Sequence, residues 1–120
     1  PGRGPRAFRW VFTHNNPSDY HELAYQLFAD EHCHYLTFGR EVGDSGTPHL
    51  QGFFILKRRR YFSSLRELIG ECHLEVARGT PEQCVEYCHK DGDVFEFGSV
   101  PTFSKVNGLI SIDTEIGRAH

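Results

Sequence analysis

The sequence predicts an α+β domain, a central antiparallel sheet of about five strands with helices packed on it, and three observations point there. Residues 34–41 and 49–57 are strand-like runs joined by Val42-Gly43-Asp44-Ser45-Gly46-Thr47, which reads as a hairpin connection. Helical segments at 19–31, 62–69 and 81–90 carry their own start or stop residues and are interspersed among the strands. The 120 residues suit one compact domain that buries roughly two thirds of its extended-chain surface.

Taken in order, residues 8–14 alternate as a strand, with Trp10, Phe12 and His14 on one face and Arg9, Val11 and Thr13 on the other. Asn16-Pro17 starts a turn, and Ser18-Asp19 opens the helix over 19–31. The hairpin strands follow, then a helix over 62–69 closed by Gly70 and a strand over 72–78. The helix over 81–90 is the best bounded: Thr80 caps it, Pro81 fits its first position, Gln83 completes a capping box and Gly92 stops it. Its apolar stripe is Cys84, Val85 and Cys88, while Tyr87 and Lys90 are neighbours on a more polar face. A last strand over 94–98 ends the pattern, and Phe38, Phe54, Leu56, Phe95 and Phe97 are the expected core. Residues 1–7 read as a tail and 8–100 as the domain. Residues 101–120 lose periodicity around the short patch Leu109-Ile110-Ser111-Ile112 and read as a linker.

Composition narrows the function classes. No apolar run approaches the ~20 residues of a membrane span and no signal-peptide pattern stands at residues 1–4, so a soluble intracellular protein is expected. Cys33, Cys72, Cys84 and Cys88 include no C-x-x-C pair and read as reduced, mostly buried thiols; His32-Cys33-His34, Cys72-His73 and Cys88-His89 match no common zinc module. A net charge of −3 argues against coating of nucleic acid, yet Arg3, Arg6 and Arg9 cluster, and Lys57-Arg58-Arg59-Arg60 precedes Tyr61 and Phe62. That run offers phosphate contact and base stacking side by side, or else a solvated strand end.

Two segments carry chemistry. In Pro48-His49-Leu50-Gln51-Gly52-Phe53, strand alternation puts His49 and Gln51 on one face, and pairing about the hairpin loop places Glu41 opposite His49, Gly39 opposite Gln51 and Thr37 opposite Phe53. A carboxylate, an imidazole and an amide oxygen suit a hard divalent cation such as Mg or Mn better than structural zinc. The alternative is a solvated His/Gln pair. Tyr87 beside Lys90 is a candidate nucleophile: a phenol is weak at neutral pH, but an ammonium group nearby and a cation on the electrophile both favour attack. The alternative there is an amphipathic interface tyrosine.

Phe12-Thr13-His14-Asn15-Asn16-Pro17, then Glu41 with Pro48-His49-Leu50-Gln51-Gly52, then Glu86-Tyr87-Cys88-His89-Lys90 resemble, in order and spacing, three motifs of the replication initiator (Rep) proteins of small circular single-stranded DNA viruses, the circovirus group above all. The resemblance spans residues 8 to about 98. It implies an N-terminal HUH endonuclease domain of RRM-like (ferredoxin-like) architecture that nicks a viral origin stem-loop for rolling-circle replication. It assigns Tyr87 as catalytic tyrosine, Lys90 as its partner, Glu41, His49 and Gln51 as ligands of Mg or Mn, and the first motif, with Asn15 and Asn16, to fold and DNA contact. With Arg9 and Lys57, Arg58, Arg59, Arg60 and Tyr61 these make the expected single-stranded DNA surface. It further implies action in the host cell nucleus, oligomerisation through regions outside this chain, and a downstream superfamily 3 helicase with ATPase activity. The sequence departs twice from the wider pattern: Gln51 replaces the second His of the superfamily's name, and His14 stands where an apolar residue is expected. Two rivals remain, a non-catalytic single-stranded nucleic-acid-binding module with stacking aromatics on its central strands, and a zinc-stabilised regulatory domain.

Overall fold

The structure is a computed structural model that describes residues 2–44, 46–106 and 109–114, with the backbone alone for 103–106 and 109–114. Its elements run β1 (Arg6–Asn15), α1 (Asp19–His32), β2 (Cys33–Val42), β3 (Pro48–Tyr61), α2 (Phe62–Ile69), β4 (His73–Val76), α3 (Pro81–Cys88) and β5 (Val94–Gly98), followed by β6 (Pro101–Val106) and β7 (Leu109–Thr114). The first five strands form one antiparallel sheet in the order β4-β1-β3-β2-β5, as the α+β expectation requires. β6 pairs with β7 in a separate two-stranded sheet, where the sequence shows no usable alternation. The linker expected over 101–120 falls partly on that pair and partly outside the described residues.

Strand alternation sorts the core onto the two faces of the sheet. On one face Trp10, Phe12, Leu36, Phe38, Leu50, Phe54 and Leu56 pack with Tyr25, Phe28 and Ala29 of α1 and Leu65 of α2. On the other, Tyr35, Phe53 and Ile55 pack with Ala77 and with Cys84 and Cys88 of α3. The first layer is dense: a Cβ at Gly52 would enter the Phe12 ring, so β3 carries glycine there to let that ring cross it. His14 belongs to this layer despite its polarity. Its Nδ1 lies 2.9 Å from the Tyr25 hydroxyl and its ring tilts against His21, while burial, then the His21 charge, lower its pKa. The imidazole thus fills an apolar position because a buried partner satisfies it.

Among the element boundaries that differ from the sequence reading, including β1 beginning at Arg6 and β4 ending at Val76, two bear on the site. β3 runs to Tyr61 rather than residue 57, because its pairing with β1 slips: Arg9 faces Ile55 whereas Ala7 faces Arg60. Lys57, Arg58 and Arg59 are the extra residues, exposed on a bulged strand. α3 ends at Cys88 rather than residue 90; His89 is its C-cap, with its N–H shared between the Val85 and Glu86 carbonyls.

Candidate metal and nucleophile site

The hairpin register is the predicted one: Glu41 faces His49, Gly39 faces Gln51 and Thr37 faces Phe53. Three donor-bearing side chains therefore share one sheet face on adjacent strands. Glu41 Oε1 lies 2.8 Å from His49 Nε2, and Glu41 Oε2 accepts from Lys90 Nζ at 2.5 Å. Glu41 is only 8% exposed, and burial alone would raise its carboxyl pKa; hydrogen bonds and charge from Lys90 and His49 outweigh that and hold it below the ordinary value. Lys90 responds in kind: partial burial would lower its pKa, but Glu41 raises it on balance. Gln51 is oriented from β1, its Oε1 accepting from the Thr13 hydroxyl at 3.3 Å and its Nε2 near the Phe12 carbonyl at 3.4 Å.

This donor set fits a hard divalent cation. The Glu41 carboxyl is held below its ordinary pKa, Gln51 brings an amide oxygen to the same sheet face, and the positive partner Glu41 demands is supplied by side-chain donors that a cation could replace. The zinc alternative fares worse. Among the described residues no three His, Cys, Asp or Glu side chains converge. All four cysteines are free thiols, and burial pushes the Cys33 and Cys88 thiols up to about 12.

Tyr87 projects from α3 with 55% of its surface exposed, and Lys90 Nζ stands 4.1 Å from its ring centroid. A cleft of about 270 Å³ has Tyr87 and Gln51 among its walls, with Val11, Val76 and Arg78. The capping box that starts α3 forms as its sequence predicts, Gln83 N–H to Thr80 Oγ1 at 3.1 Å and Thr80 N–H to Gln83 Oε1 at 2.9 Å. At its other end the segment from Cys88 to Asp93 lies along β2. A Cβ at Gly39 would collide with the Cys88 carbonyl, His89 Nε2 lies 2.7 Å from Thr37 Oγ1, and the Arg40 N–H donates to the Asp93 carbonyl at 2.8 Å. Arg40 also holds Glu22 of α1 with Nε and Nη2 and Asp93 with Nη1. Sequence reasoning missed Thr37, His89, Arg40 and Asp93 as site-shaping residues, since their partners lie far away in the chain.

The expected DNA surface divides in two. Near the site, exposed Asn15 pairs in register with His49, and Asn16 turns the chain with φ 52° and donates its N–H to Pro48. Arg9 Nη1 donates to the Gly79 carbonyl, at the loop that leads into α3. Lys57, Arg58, Arg59, Arg60 and Tyr61 sit at the other end of β3, a stretch that begins roughly 25 Å from His49 at the usual rise per strand residue. Arg59 lies over the Phe8 ring, Arg60 donates to Ser64, and the Tyr61 ring is covered by Arg3 and Arg6. Among the described residues, the aromatics in the middle of the central strands, Trp10, Phe12, Phe53 and Phe54, are buried and offer no stacking face.

A sequence profile of the family described as "Putative viral replication protein" matches residues 7–91. The replication-associated protein of Pigeon circovirus is 40% identical over 101 residues, covering 84% of this chain and 32% of that protein. That of Beak and feather disease virus is 45% identical over 87 residues, 72% of this chain and 30% of its own length. The master replication protein of Banana bunchy top virus is 35% identical over 94 residues, 75% and 31%. The chain spans about a third of the length of these curated relatives.

Proposed function

We propose, from the premise that this chain belongs to the viral replication protein family, that it is a site-specific single-stranded DNA endonuclease and strand-transferase that starts rolling-circle replication at a viral origin stem-loop. The observation that carries this reading is the single ammonium group of Lys90, which touches Glu41 of the donor trio and covers the ring of Tyr87. A divalent cation, Mg or Mn, bound by Glu41, His49 and Gln51 would supply Lewis-acid charge at the scissile phosphate.

Tyr87 Oη attacks phosphorus as its proton departs to solvent; the Oη–P bond forms, the P–O3′ bond breaks, and the leaving 3′ oxygen takes up a proton. The products are a 5′-phosphotyrosyl link and a free 3′-hydroxyl. One phosphodiester is exchanged for another, so rejoining needs no ATP. The Lys90 ammonium, 4.1 Å from the centre of the Tyr87 ring, would supply positive charge to the phenol as negative charge develops on its attacking oxygen. An unpaired strand is required, because its phosphate must descend into the cleft between Tyr87 and Gln51. The helicase and ATPase activities, the nuclear setting and any oligomerisation belong, in this reading, to the remaining two thirds of such proteins and to their host cell.

The test is incubation of the chain with a labelled origin oligonucleotide and Mn, followed by denaturing electrophoresis. An SDS-stable adduct is expected, lost in Tyr87→Phe with folding and DNA binding nearly unchanged, since only an exposed hydroxyl is removed. An adduct surviving in Tyr87→Phe would move the nucleophile elsewhere. Tyr35 is a poor substitute, buried and donating to Glu96, and Tyr61 lies at the far end of β3.

A further inference from the structure

We infer that His89 is a positioning residue for the Tyr87 and Lys90 pair, its Nε2–H bond to Thr37 fixing the end of α3 on the sheet; the inference rests on the endonuclease reading. Hydrogen accounting sets the direction of that bond. The Thr37 hydroxyl has one hydrogen, and the Phe95 carbonyl at 2.6 Å takes it. Thr37 Oγ1 can then only accept from the ring nitrogen 2.7 Å away, so the proton is on His89 Nε2. Behind it Glu96 Oε2 lies 3.9 Å from the same nitrogen and accepts from the Tyr35 hydroxyl, which favours a donor on His89. Thr37 is wholly buried in β2, between β3 and β5, so the anchor point is as rigid as the sheet.

Position on the helix explains why this anchor bears on chemistry. His89 follows Tyr87 by two residues, about 200° around the helix, so the imidazole grips the sheet while the phenol faces the cleft. Lys90 is the next residue along. Its own bond to Glu41 is an unreliable anchor, because Glu41 is also a candidate cation ligand and the two uses compete. The His89 bond is indifferent to that competition. It keeps the segment in place whichever partner Glu41 holds, and a displacement of the order of 1 Å at a reacting group can cost about a hundredfold in rate.

The variants separate the bond from mere packing. Gln places its Nε2 as many bonds from Cα as His does, whereas Asn places its amide where Nδ1 stands. His89→Asn and Thr37→Val are expected to slow first-order adduct formation at saturating oligonucleotide by about ten- to a hundredfold. Affinity for an uncleavable oligonucleotide should stay within about twofold, and His89→Gln should recover most of the rate. An Asn variant as fast as wild type, a Gln variant as slow as Asn, or binding that falls in parallel would each overturn the assignment. Nitrogen-15 NMR of the wild-type imidazole adds a readout free of activity: an exchange-protected proton on Nε2 is expected, and a ring whose sole proton is on Nδ1 refutes the anchor. If wild type gives no adduct, the endonuclease reading fails instead, and the NMR result decides the anchor alone.

Discussion

Lys90 Nζ lies 2.5 Å from Glu41 Oε2 and 4.1 Å from the centre of the Tyr87 ring, so one ammonium group spans the carboxylate and the candidate nucleophile. Lys90→Ala should slow adduct formation by about a hundred- to a thousandfold, the range for removing one electrostatic stabiliser, while binding of an uncleavable oligonucleotide changes far less. Equal declines in both would make Lys90 a DNA-seating residue.

Cation binding can be read directly by titration calorimetry with Mn. His49→Ala should abolish it at ordinary concentrations, and Gln51→His should retain or tighten it and widen the range of usable ions, because imidazole is the better donor to later transition metals. Unchanged Mn affinity in both variants would remove Glu41, His49 and Gln51 as the site.

Gly39→Ala should be costly for a reason unrelated to chemistry. The added Cβ meets the Cys88 backbone carbonyl, which cannot swing aside, so a loss of about 1–3 kcal/mol or more in denaturant unfolding is expected along with displacement of α3. Gly43→Ala, with open space around its position, is the matched control and should be near neutral. Equal midpoints for the two variants would contradict the packing described for β2 and α3.

The basic run should act on affinity alone. Replacing Arg58, Arg59 and Arg60 with Ala should weaken single-stranded DNA binding and reduce the log–log salt slope by about 0.7 for each phosphate that is no longer neutralised. At saturating DNA the rate of adduct formation should hold, given the distance of the run from Tyr87. An unaltered slope would identify the run as solvated surface.

The sheet and the donor trio were legible because they depend on short-range pattern. Alternation placed His49 and Gln51 together, and a six-residue connection fixed Glu41 opposite His49. Charged, exposed residues carry no such alternation, which is why the slip at Lys57–Arg59 and the extension of β3 to Tyr61 were invisible. Contacts between distant residues were equally hidden. Nothing local pairs Thr37 with His89 or Arg40 with Glu22 and Asp93, and the buried role of His14 depends on Tyr25 of the following helix.

The sheet order has a consequence for how the domain comes apart. Glu41, His49 and Gln51 lie on β2 and β3, strands with neighbours on both sides, whereas Tyr87 rides an eight-residue helix laid over them. Opening free energies within one protein range from near zero up to the global value, with central strands at the top. The strands that carry the candidate cation ligands therefore belong to the last unit to open, and the candidate tyrosine to an earlier one. On the proposed mechanism, a strand end held on Tyr87 would lift away with α3 and return for rejoining while the strands that carry Glu41, His49 and Gln51 stay assembled.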